Sequence, residues 1–102
     1  MPTMQYDVFA TRPLTSTGNF LNQNGLAVPR ARIKSIYTVN DTAAGSVVIR
    51  DGSSGPILVT VNTPAKATAG FTVILIPGEG ILASTGLHGT ITDVLSIMLI
   101  YG

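Results

Sequence analysis

The feature that most constrains this chain is its punctuation: short runs rich in Val, Ile, Thr, Phe or Tyr, each closed by Gly, Pro, Asn or Asp. β-branched and aromatic residues suit a pleated, half-buried surface, and the closing residues supply turn chemistry. The runs place about seven strands, near Tyr6 to Thr11, Arg32 to Val39, Ser46 to Arg50, Ile57 to Asn62, Phe71 to Ile76, Ile81 to Leu87 and Thr90 to Tyr101. No helical stretch separates them, so parallel βαβ units are excluded. The expected fold is all-β: one small antiparallel β-sandwich, jelly-roll-like, of about seven to eight strands over residues 1–102.

Turns fix part of the layout. Ser46 to Arg50 and Ile57 to Asn62 flank Asp51-Gly-Ser-Ser-Gly-Pro56. Gly tolerates positive φ and Pro sets φ near −65°, so this segment predicts a hairpin. Pro77-Gly-Glu-Gly80 predicts a tight corner between two apolar runs. From about 12 to 29 the chain is polar and turn-rich, with Phe20 and Leu21 as isolated apolar anchors. It reads as a loop lying on its own subunit or as an arm reaching a neighbour.

Side-chain alternation divides the apolar residues into two sets. The odd-numbered Ile33, Tyr37, Val39, Val47, Ile49, Ile57, Val59, Val61, Phe71, Val73 and Leu75 are expected to fill the core. Arg32, Lys34, Thr38, Arg50, Thr60 and Thr72, of opposite parity, are expected to meet water. Ile36, Val48, Leu58, Ile74, Ile76, Met98 and Ile100 share that outward parity although they are apolar. Either bulges shift the register or strands are covered on both sides within one sandwich, or these residues line an interface between subunits. Composition favours the interface: 11% of the chain is charged and 45% hydrophobic, against about 25% charged in an ordinary soluble domain. The closing run Ser96-Ile-Met-Leu-Ile-Tyr-Gly102 is expected in the middle of a sheet or on a symmetry axis.

Few residues invite chemistry. Cysteine is absent, which removes disulfides and thiolate chemistry. His88 is the single histidine, with Asp93 five positions on and Ser84 and Ser96 in the same region, but no Gly-x-Ser-x-Gly segment accompanies them. Asp7, Asp41, Asp51, Glu79 and Asp93 are scattered singly, without metal-ligand spacing, and Asp51-Gly-Ser-Ser-Gly lacks the alternating ligands and closing Glu of a calcium loop. No enzyme activity, cofactor or metal is expected.

Arg30, Arg32 and Lys34 form the one basic cluster, which on a strand projects from a single face. It reads as a solvated face or as a contact for a neighbour's acids. A net charge of +1 and the lack of interleaved aromatics argue against nucleic acid. The N-terminus shows neither the basic region nor the apolar run of a secretory signal, and no run approaches the roughly 20 residues of a membrane span. Asn40-Asp-Thr42 matches a glycosylation sequon that such a context would leave unused.

The order Met1-Pro-Thr-Met-Gln-Tyr-Asp, Arg32-Ile-Lys-Ser-Ile-Tyr37, Ala44-Gly-Ser-Val-Val-Ile-Arg-Asp-Gly52, Pro77-Gly-Glu-Gly-Ile-Leu82 and Ile100-Tyr-Gly102 resembles small structural proteins of tailed, especially marine, bacteriophages. These are similar to capsid decoration or cement proteins. The resemblance implies a β-sandwich subunit, often trimeric, that sits on the capsid exterior, binds the major capsid protein and stabilises the shell. It defines no binding residues. The residues open to subunit or capsid contact are therefore the basic cluster and the outward apolar set named above. A tail, adaptor or fibre-associated component, or a host-surface glycan-binding module, is the alternative.

Overall fold

The β-rich runs pair antiparallel throughout. The computed structural model describes residues 9–64 and 70–102. Its strands are β1 (Phe9–Ala10), β2 (Gly18–Asn19), β3 (Ala31–Asn40), β4 (Gly45–Asp51), β5 (Ile57–Thr63), β6 (Phe71–Leu75), β7 (Ile81–Ala83), β8 (Leu87–Thr92) and β9 (Val94–Tyr101). The first sheet has the order β1-β9-β3-β6, with β7 also on β3, and the second has the order β2-β8-β4-β5. Thus β4 pairs with β5, β3 with β6, β2 with β8 and β1 with β9. The chain is a doubled-back ribbon rolled into a sandwich, which is the jelly-roll arrangement.

The expected hairpin is present, with Val47 opposite Val61 and Ile49 opposite Val59. Two other expectations are corrected. The run Thr90 to Tyr101 is not one strand: Asp93, at φ 53°, lets the chain leave β8 in the second sheet and enter β9 in the first. Pro77 to Gly80 does not turn a corner. β6 and β7 run along the same edge of β3, with Leu75 opposite Ser35 and Ile81 opposite Ile33, so the intervening residues loop out of one interrupted strand. Gly80 returns the chain at φ 83°, where a Cβ would collide with the Ile33 carbonyl oxygen. The expected strand near Tyr6 to Thr11 is seen as Phe9–Ala10, and its earlier part lies outside the described residues.

Bulges overturn the expected parity. Against β9, β3 carries one extra residue, Lys34; against β3, β9 carries Leu95; against β4, β5 carries Leu58. Each insertion turns the following side chains to the other face. Ile33, Val47, Ile49 and Val61 are buried as expected. Tyr37, Val39, Ile57, Phe71, Val73 and Leu75 are exposed instead. Ile36, taken as outward, is buried, and so is Thr38. Leu58, Ile74 and Ile76 pack against the core, which is built around Phe20, Ile33, Ile36, Val47, Ile49, Ile97 and Leu99.

The segment from Arg12 to Pro29 folds over its own subunit. Leu14 bridges Ile97, β2 joins β8, and the Phe20 amide donates to the Leu87 carbonyl at 3.0 Å. Phe20 is fully buried because Gly89 beneath it has no side chain: a Cβ there would lie 2.9 Å from the ring. The closing strand β9 is internal to its sheet, between β1 and β3, as expected.

Candidate functional site

The outer faces of the two sheets differ in chemistry. On the second sheet, cross-strand rows run Asn62-Ser46-Thr92, Thr60-Val48-Thr90 and Ile57-Arg50-His88. Val48 is thus an isolated apolar residue between two threonines. On the first sheet the rows run Phe71-Val39-Ser96, Val73-Tyr37-Met98 and Leu75-Ser35-Ile100. Five of these side chains are substantially exposed: Phe71 at 75%, Leu75 at 73%, Val39 and Val73 at 41%, and Tyr37 at 38%. A shallow depression of about 310 Å³ runs among Pro13, Tyr37, Val39, Phe71 and Met98.

The bulge at Lys34 determines this chemistry. Before it, Ala31 and Ile33 point inward and Arg32 and Lys34 outward; beyond it, Ile36 and Thr38 point inward and Tyr37 and Val39 outward. One outer surface therefore carries a basic end and an apolar end. Lys34 Nζ donates to the Glu79 carbonyl at 3.4 Å, and Leu82 sits across from Arg32. Arg30 is exposed just before β3, on a second depression of about 460 Å³ that includes Phe9 and Tyr101, whose rings stand 5.7 Å apart. Burial pushes the Tyr101 hydroxyl above its ordinary value.

Of the residues proposed for contact from the sequence, Arg30, Arg32, Lys34, Met98 and Ile100 lie on or beside this surface. Val48 lies on the opposite sheet. Ile36 is buried in the core, and Leu58, Ile74 and Ile76 are partly buried and pack against it. Phe71, Val73, Leu75, Tyr37 and Val39, expected in the core, form the exposed part of this surface instead. The sequence signal for them was their alternation, which gives the two faces without saying which is inside.

The polar groups have structural work. Asp51 accepts hydrogen bonds from the amides of Ser84, Thr85 and Gly86 at 3.0, 2.6 and 3.2 Å, fastening the hairpin to the β7–β8 connection. These amides, those of Thr85 and Ser84 foremost, hold its carboxyl below the ordinary 3.8 against the opposing effect of desolvation. Asn40 is fully buried; its Nδ2 donates to Thr72 Oγ1 and its Oδ1 accepts from Thr38 Oγ1, both at 3.0 Å. The sequon asparagine is thus a core hydrogen-bonding residue. Among the described residues, His88 Nδ1 is buried without a hydrogen-bond partner. Among the described residues no group of three or more His, Cys, Asp or Glu could hold a metal ion. Compared with protein-family models, curated proteins and solved structures, the chain matches none.

Proposed function

We propose that this chain is a non-enzymatic virion component, a capsid decoration or cement protein that lays the outer face of its first sheet on the major capsid protein of a tailed phage. The observation that carries this reading is the contrast between the two outer faces: on one, Val48 and the exposed Ile57 are separated by Thr, Ser, Asn, Arg50 and His88, and on the other exposed Phe71, Leu75, Val39, Val73 and Tyr37 adjoin one another. Contiguous exposed apolar surface of this kind marks an interaction site. The jelly-roll arrangement is shared by viral capsid and lectin domains, which supports the reading by analogy of fold alone. Burying Phe71 and Leu75 would contribute on the order of 1.5–3 kcal/mol each, and repeated subunits would multiply that gain across a shell under internal pressure. Arg32 and Lys34 at the other end of the face would register the subunit against acidic groups.

Gold-labelled antibody against the chain, applied to intact virions, tests the location: label over the head is expected, and label confined to the tail, or none, overturns the reading. Tyr37→Glu with Met98→Glu should abolish co-sedimentation with emptied heads while the thermal melt of the subunit stays within a few degrees.

A further inference from the structure

Among the described residues, nothing pairs with the β6 edge of the first sheet. Asn40 donates its amide to the Gly70 carbonyl at 2.6 Å and Ile76 donates to the Lys34 carbonyl at 3.0 Å. In that register Thr72 faces Thr38 and Ile74 faces Ile36. Hydrogen-bonded pairs alternate along an antiparallel ladder, so the even-numbered residues of β6 bond β3. The N–H and C=O groups of Phe71, Val73 and Leu75 therefore point away from it. Among the described residues no strand lies beyond β6. Edges are ordinarily guarded by Lys, Pro, a bulge or an inward charge, and Phe71-Thr-Val-Ile-Leu75 has no charged residue, proline or bulge against β3.

We propose that β6 pairs antiparallel with β6 of a second copy about a two-fold axis at Val73. The register makes the strand its own complement. Val73 faces Val73 of the other copy, Phe71 faces Leu75, and all three pairs are of the hydrogen-bonded kind, which gives six backbone hydrogen bonds. The same residues carry the exposed side chains, so each Phe71 ring covers a Leu75 of its partner. A five-residue strand edge is a small contact beside standard interfaces of about 1,200–2,000 Å², so the dimer is weak and concentration-dependent. This extends the assembly role proposed above but stands on the strand edge; Phe71 and Leu75 adjoin both surfaces, whereas Tyr37 and Met98, on the sheet face, serve docking alone. A two-fold pair also differs from the trimer that the resemblance implies.

Light scattering of the full chain from micromolar to millimolar concentration should show the mass rise from 10.6 kDa toward twice that value. Val73→Pro removes only an N–H that faces solvent in the monomer, which edge strands tolerate; it should hold the mass at one copy with a cooperative melt retained. In a chain without cysteine, Val73→Cys should cross-link to a covalent dimer under oxidation, since hydrogen-bonded pairs stand about 5.5 Å apart at Cα and disulfides span about 4.4–6.8 Å. Thr60→Cys, on the opposite sheet, should not. A wild type that stays monomeric, a mass of three copies, or a proline variant that still dimerises overturns the proposal. Tyr37→Glu with Met98→Glu should leave the dimer intact while abolishing head binding, so failure of docking and failure of pairing are read separately.

Discussion

Replacing Ile36 and Val39 separately by alanine tests which side of β3 is inside. Ile36 is fully buried, opposite Ile74 on one neighbour and Leu99 on the other, both on the core side. Truncating such an isoleucine costs about 2–5 kcal/mol, because the lost transfer energy is joined by a cavity the rigid sandwich cannot close. Val39 is 41% exposed on the outer face, where the same truncation should cost about 0.5 kcal/mol. At roughly 4–8 °C per kcal/mol for a domain of this size, a loss of about 3 kcal/mol lowers Tm by roughly 12–24 °C, against about 2–4 °C for Val39→Ala. Urea unfolding followed by far-ultraviolet circular dichroism, at low protein concentration, supplies the free energies, provided the two variants share one m-value. Equal losses, or a greater loss from Val39→Ala, would refute the inner and outer assignment and with it the identity of the proposed docking face.

Acidification tests the Asp51 clamp. The folded carboxyl is held below 3.8, so its stabilising effect is present above that value and is lost as pH falls through the folded value; Asp51→Asn should lower the urea midpoint at pH 7 and flatten this acid limb. Gly89→Ala places a methyl 2.9 Å from the Phe20 ring and 3.0 Å from Leu14, and overpacking of this kind should cost about 1–3 kcal/mol by denaturant titration. Asn40→Ala strips partners from Thr38 and Thr72 and should cost about 2–4 kcal/mol in the same assay. Leu58→Asp and Ile74→Asp, both on the core side, should abolish cooperative melting of the isolated subunit instead of weakening assembly alone.

The all-β class and the β4–β5 hairpin were legible because each depends on local chemistry: Gly52 at φ 84° and Pro56 specify the turn whatever lies around it. The existence of a second apolar set was legible too, since neither set could be polar. Which set faces out was not. That choice depends on single extra residues, Lys34, Leu95 and Leu58, visible only when a strand is laid against its partner. Asn40 shows the same limit. As a sequence it is a sequon beside a turn; in the fold it closes a buried hydrogen-bonded group with Thr38, two residues back on its own strand, and Thr72, brought to it by strand pairing across 32 positions.

The bulge at Lys34 ties the fold to the proposed role. With regular alternation, β3 would keep Arg32, Lys34, Ile36 and Thr38 on one face, and Ile33, Ser35, Tyr37 and Val39 on the other. That arrangement would bury the Tyr37 hydroxyl and expose Ile36. Inserting one residue reverses the second half of the strand, so Ile36, Thr38 and Asn40 enter the core while Tyr37 and Val39 join Phe71 and Val73 outside. The outer surface is thereby basic where β3 begins and apolar where it ends. Pairing through β6 would set two such surfaces side by side with their apolar ends adjoining the two-fold axis. A partner surface that presented apolar groups centrally and acidic groups outside them would meet both copies at once, and each contact would be made twice per docking event.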